Sequence, residues 1–172
     1  MPAKVEWQRR YKKAVFQREE FKWKDGLSHK SDCVLFGKLQ TELKVNRLYQ
    51  VIKRNRKYQY YIMHLVRCLS IPDNAELLAC NLCQATSYNI IEHYLIYCTS
   101  VNDLRNKMWD DISDALDVVH SVQLFSRDDV QILHVLLGGD WGESPPPVTS
   151  WDKIICTVAK HFNLMFKCCV AT

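Results

Sequence analysis

Apolar residues recur at helical spacing through most of the chain, and the breaks between those runs set out its elements. From residue 4 to 24, Trp7, Tyr11, Ala14, Val15 and Phe21 share a stripe, with Arg9, Arg10, Lys12 and Lys13 on the other faces. Asp25-Gly26 is expected to close that helix, the glycine acting as a left-handed cap. A second helix is expected after Ser31, a capping residue, with Val34, Leu35, Leu39 and Leu43 on one side and a turn at Asn46. Tyr58, Tyr61, Ile62, Leu65, Val66 and Leu69 form a third stripe, broken at Pro72-Asp73-Asn74. Leu77-Leu78-Ala79 reads as a short extended segment. Ser100 with Asp103 predicts a capping box for a helix running through Val101, Leu104, Met108, Ile112, Ala115 and Val119. Ser126 with Asp129 repeats that pattern ahead of an apolar helix through Leu133 and Leu137 that stops at Gly138-Gly139. The segment 138–149, with Pro145-Pro146-Pro147, predicts an exposed extended linker. Trp151, Ile154, Ile155, Val158, Phe162, Met165 and Cys169 then make the last stripe, which reads as core. There is no internal repeat and no convincing alternation, so the fold class predicted is mostly α.

With 172 residues and 48% apolar composition, the chain can bury a sizeable core, which excludes wholesale disorder. The net charge of +4 hides an asymmetry. Residues 1–70 carry 17 Lys or Arg against 6 Asp or Glu, whereas residues 71–172 carry 6 against 13. Such a division fits either a nucleic-acid surface in the first half or attraction between the halves. The basic residues are densest at Lys53, Arg54, Arg56 and Lys57, flanked by Tyr49, Tyr58, Tyr60 and Tyr61. A charge run is commonly a solvated loop. Cations interleaved with aromatics can also grip phosphates and stack on bases, so Lys53, Arg54, Arg56, Lys57 and Tyr58 are the candidate nucleic-acid contacts. The organisation expected is a basic helical segment (1–72), a metal-binding segment with following helices (73–139), a Pro-rich linker (140–150) and a terminal amphipathic helix (151–172).

Chemistry enters with the cysteines. The polar start and the lack of an apolar run of about 20 residues predict an intracellular protein, nuclear or cytoplasmic, with no membrane partner. In a reducing compartment its eight cysteines read as metal ligands or buried thiols. Cys80-x-x-Cys83 is followed after nine residues by His93 and after four more by Cys98. A tight Cys-x-x-Cys turn aims two thiolates at one ion, and His93 with Cys98 completes a tetrahedral set. Four protein ligands leave no open coordination position, which predicts a structural Zn2+ knuckle. His64 and Cys68, four apart, read instead as edge residues of their helix. Cys169-Val170-Ala171-Thr172 matches a prenyl-acceptor pattern, but Cys169 also continues the last apolar stripe and is expected to stay packed and unmodified.

No phosphate-cradling glycine loop, Ser-His-Asp set or carboxylate cleft stands out, so no catalysis and no small-molecule substrate are expected. Asp110-Asp111 lies within an amphipathic helix whose acidic face continues through Asp114 and Asp117, and reads as a solvated face. The run from Leu77 through Leu137 resembles the zinc-binding region that follows the reverse transcriptase domain of non-LTR retrotransposons. The likeness rests on Cys80-x-x-Cys83, Ile91-Glu92-His93-Tyr94-Leu95, Cys98, Leu104-Arg105 and Trp109, with Thr99 where that family has Pro. The resemblance implies a piece detached from its polymerase domain, which positions RNA or target DNA and has that missing domain as a further partner. A zinc-stabilised helical protein–protein module is the competing expectation.

Overall fold

The longest buried stripe belongs to the last helix, and the other core helices gather around it. The computed structural model describes residues 4–28, 46–69, 78–87 and 89–170. The helix expected after Ser31 and the break at Pro72-Asp73-Asn74 lie outside those residues. Helix α1 spans Lys4–Ser28, α2 Arg47–Arg54 and α3 Gln59–Leu69, with a 3-10 turn at Arg56–Tyr58 between the last two. A two-residue hairpin, β1 (Leu78–Ala79) against β2 (Thr86–Ser87), is antiparallel, with Leu78 opposite Ser87 and Ala79 opposite Thr86. Then come α4 (Ile90–Glu92), running directly into a π turn at His93–Tyr97, a 3-10 turn at Thr99–Val101, and α5 (Asn102–Ser113). Helices α6 (Val118–Phe125), α7 (Asp129–Leu136) and α8 (Val148–Val170) complete the described chain. The expectation of a mostly helical fold around a Cys-Cys-His-Cys cluster is met.

The core follows from the stripes. Ile154, Ile155, Val158, Ala159, Phe162 and Met165 of α8 are fully buried. They pack chiefly on α3 and α5, which contribute Ile62 and Leu65, and Met108 and Ile112, also fully buried. Cys169 is buried as the stripe predicts. Helix α2 joins through Leu48 and Val51, and its start is fixed by Asn46, whose side-chain oxygen accepts from the Leu48 N–H at 2.8 Å. Asn46 therefore opens a helix where a turn was expected.

Several boundaries differ from the sequence expectation, each for a local reason. Helix α1 runs through Asp25-Gly26 to Ser28. Glycine weakens a helix by about 1 kcal/mol without stopping it. Pairs three or four residues apart, Lys22 with Glu19 and Lys24 with Glu20, brace that end. Its apolar stripe faces outward: Trp7, Tyr11 and Phe21 are each more than half exposed, and Trp7 stacks on Tyr11 at 5.4 Å.

Ser100 does not cap α5, because the chain leaves Cys98 through a 3-10 turn and the helix begins two residues later. That helix stops before Val119, which is mostly exposed on α6. There Asp117 takes the cap, accepting from the His120 N–H at 2.9 Å. Asp128 replaces the expected Ser126 as cap of α7, accepting from the Gln131 N–H at 2.8 Å. Ser126 is still held at the end of α6, its N–H on the Val122 carbonyl, so the cap falls to Asp128.

Gly138, at φ +81°, closes α7 as expected: its N–H reaches the Val135 carbonyl while the Gly139 N–H reaches that of His134. Beyond it the chain is not simply an exposed linker. Trp141 is buried edge-on against Trp151, and its indole N–H donates to Gln123. Arg127 covers the Trp141 ring and donates to its carbonyl.

Candidate functional site

The four cysteine and histidine ligands converge. The potential ligand atoms of Cys80, Cys83, His93 and Cys98 all lie within 4.8 Å of one another, and three of the four residues are buried. The Cys80 and Cys98 sulfurs are 3.8 Å apart. Two thiolates at the corners of a tetrahedron with metal–sulfur bonds of about 2.3 Å stand about 3.8 Å apart. Cys83 Sγ lies 3.3 Å from His93 Nε2, so that nitrogen faces the cluster. The donor set and its spacing therefore fit one tetrahedral metal ion.

Local backbone geometry explains how that spacing works. Between the first two ligands the chain reverses tightly: the Cys80 N–H donates to the Ala85 carbonyl and the Gln84 N–H to the Cys80 carbonyl, both at 2.8 Å. Gln84 absorbs the reversal with φ +62°. Burial pushes the Cys80 thiol up, but N–H groups of Cys83 and Leu82 and the side chains of Cys83 and His93 outweigh it. The net effect holds that thiol down at about 6. Cys98 is pushed up to about 12 by burial, with the other two thiols adding and the Ser100 N–H opposing.

The second pair solves a geometric problem. Five residues of α-helix would turn Cys98 about 140° away from His93. Instead Asn89 caps α4, its side-chain oxygen accepting from the Ile91 and Glu92 N–H groups. The helix then widens into the π turn, in which the Cys98 N–H donates to the His93 carbonyl at 2.7 Å. Cys98 leaves in an extended conformation, ψ 115°, on the side of His93.

Widening a turn strands carbonyls, and Arg105 collects them. Its guanidinium is buried and donates to the Cys98 carbonyl at 2.8 Å, to the Tyr94 carbonyl at 3.4 Å and to the Asn102 side chain. Burial lowers its pKa, while the nearby Cys98 sulfur raises it. The cluster is tied to the core from the other side by Tyr94, fully buried, whose hydroxyl meets the Cys169 thiol of α8. Burial and that thiol hold the Tyr94 hydroxyl well above its ordinary range.

The basic residues divide at the corner between α2 and α3. Lys53, Arg56 and Lys57 are exposed and make no ion pair among the described residues. Tyr58 is half-buried, with the Lys57 ammonium 5.0 Å from its ring centroid. Arg54, although exposed as well, is paired. It grips Asp152 of α8 with two bonds, of 2.5 and 2.8 Å, and Arg47 adds a third at 3.1 Å while lying over the Trp151 ring. Asp152 is buried, and its bond to Arg54 is the main cause raising the Arg54 pKa. Spacing alone did not mark Asp152, since it stands among the apolar residues of its own helix.

Of the acidic residues expected on a solvated face, Asp110, Asp114 and Asp117 are exposed, and Asp111 alone reaches across to another helix. Asp111 bonds His161 of α8 at 2.9 Å, and His161 is buried. That bond is the main cause holding the Asp111 carboxyl below its usual range. His64 and Cys68 sit 3.9 Å apart beside Phe162 and Phe166, the histidine lowered and the thiol pushed up to about 11, both chiefly by burial.

Comparison of the chain with protein-family models, with curated proteins and with solved structures finds no significant match in any of the three. The retrotransposon likeness thus stands only on the residues that carry it. No described helix is long and apolar enough to cross a membrane.

Proposed function

We propose that the chain is a zinc-stabilised nucleic-acid-binding segment, without catalysis of its own, which positions RNA or target DNA. Zinc is the ion we assign to Cys80, Cys83, His93 and Cys98. Three thiolates with one imidazole suit Zn2+, and the 3.8 Å sulfur separation matches its tetrahedral site. In this role the metal is structural: it fixes the hairpin and the start of α5. The observation that carries the binding role is that Lys53, Arg56 and Lys57, beside Tyr58, are exposed and make no ion pair among the described residues, at the corner that the buried faces of α2 and α3 anchor. Phosphates would meet the cations, and the ring would offer a stacking surface. The resemblance adds a polymerase domain as a further partner.

Zinc-loaded protein and labelled single-stranded RNA or duplex DNA, titrated across salt concentrations, test this. Affinity should fall with a log–log slope of about −0.7 to −0.9 per phosphate contact. The triple variant Lys53→Ala, Arg56→Ala, Lys57→Ala should flatten that slope while leaving the Arg54–Asp152 bridge in place. Equal binding by parent and variant at low salt would place the grip elsewhere than this corner. No binding by the parent at low salt would refute the role and favour the second reading, a helical interaction module, which gains support from Arg47 and Arg54 being engaged by the chain's own Asp152.

A further inference from the structure

A cleft of about 640 Å³ opens where the α2–α3 corner meets α5 and α8. That lies within the roughly 300–1,000 Å³ of small-ligand sites. Its walls carry two kinds of charge. Arg54 and Asp152 neutralise each other across the floor, and Asp111 is held by His161. Besides these, the cations Lys57 from the corner and Lys153 and Lys160 from α8 face the space, with one further carboxylate, Asp114. Lys153 and Lys160 are both exposed and have no ion-pair partner among the described residues.

The arrangement follows from helix geometry. Lys153 and Lys160 are seven residues apart, two turns of α8, and so lie on one face with Thr149, Cys156 and Thr157. The opposite face of α8 is the core stripe, which fixes this one toward the cleft. Thr149 stands in the first turn of α8, at the positive end of its dipole. Cys156 gives a neutral surface between the two lysines, because burial pushes its thiol up to about 11. Across the gap stands Tyr58, with Lys57 over its ring. An anion held by Lys57 and the α8 lysines would therefore carry any attached planar group beside that ring.

We infer that this cleft binds a single nucleoside-phosphate unit, its phosphate on Lys57, Lys153 and Lys160 and its base against Tyr58. The unit can be a free nucleotide or the phosphorylated end of a strand. For Lys57 and Tyr58 the inference rests on the nucleic-acid reading above, whereas Lys153 and Lys160 belong to it alone. Asp114, which also lines the cleft, supplies an acceptor suited to ribose hydroxyls.

The test uses the full zinc-loaded chain and adenosine 5′-monophosphate as probe, followed by amide NMR. Saturable shifts are expected at Tyr58, Lys153, Thr157 and Lys160, with adenosine lacking the phosphate binding at least about tenfold more weakly. The double variant Lys153→Gln, Lys160→Gln, altered only at exposed positions, should lose about tenfold in affinity or more. If a 5′-phosphate on a short RNA adds affinity that this double variant removes, the strand end is the source. If it adds none while the monophosphate binds, the source is the free nucleotide. A second variant, Lys53→Ala with Arg56→Ala, should weaken long RNA yet leave the monophosphate bound, which separates failure of the cleft from failure of the strand surface. The inference is overturned if the monophosphate leaves these residues unshifted, or if the lysine double variant binds it as the parent does. Inorganic phosphate binding as tightly as the monophosphate would likewise overturn the nucleotide assignment.

Discussion

The knuckle and the basic corner are both conspicuous in sequence, and the structure treats them in opposite ways. In the knuckle each polar group described has a neighbour: the ligand atoms face one another, and Arg105 takes the carbonyls that the π turn strands. At the corner all four cations are exposed, and only Arg54 is paired, with the buried Asp152, while Lys53, Arg56 and Lys57 have no ion-pair partner among the described residues. A buried polar group must be satisfied within the chain, whereas an exposed cation is satisfied by water and remains free to meet an anion. The knuckle is thus built to hold its own shape. The corner leaves three of its cations to water.

The largest effect expected from this contrast is at the metal. Structural zinc contributes on the order of 10–16 kcal/mol of apparent binding energy in small modules. Cys83→Ser should abolish bound zinc, from one ion per chain to none by elemental analysis, and should loosen the turn leading into α5. A parent protein pure of metal, with helicity indifferent to a strong chelator, would break the comparison at its first term.

Next comes Arg105→Met. It leaves the Cys98 carbonyl without its 2.8 Å donor inside the fold. Urea unfolding should show a loss of about 2–4 kcal/mol. A loss no larger than that of an exposed lysine would mean the stranded carbonyls find water instead.

Asp152→Asn sharpens the contrast at the corner. It removes the charge that holds Arg47 and Arg54, at an expected stability loss of about 1–3 kcal/mol. Because it frees Arg54, nucleic-acid affinity measured at constant salt should rise. Unchanged or weaker affinity would show that Arg54 has no part in the surface.

The smallest effect is in the pH profile. The Asp111 carboxyl is depressed in the folded chain, so its bond to His161 stabilises fully above the ordinary carboxylate range, near pH 4. That contribution fades as pH falls through the depressed value. Because Asp111 is partly exposed, its share is modest. Thermal melts between pH 7 and 3 should therefore fall less steeply for Asp111→Asn than for the parent.

What could be read from the sequence was whatever spacing alone encodes. The stripe from Trp151 to Cys169 is buried, and the Cys-x-x-Cys, His and Cys positions meet. What could not be read depended on partners far along the chain. Nothing near Arg54 shows that Asp152 will claim it, and nothing near Asp111 announces His161. Cap choice failed for a related reason. Ser126 and Asp128 are both good caps, and the exit geometry of α6 decides between them. The stripe on α1 has the spacing of a core helix, yet Trp7, Tyr11 and Phe21 remain mostly exposed, since periodicity reports a face and not what covers it.

Helix α8 follows in sequence everything it packs against. During synthesis the apolar faces of α3 and α5 must therefore wait uncovered until residues some 50 to 90 positions later leave the ribosome. Closure of the Cys80–Cys98 loop is a local event that can come early, whereas consolidation of the core is a late and long-range one. An interruption of translation between α7 and α8 would release a chain with its Cys-His loop closed and its hydrophobic faces bare, a natural client for chaperones and proteases.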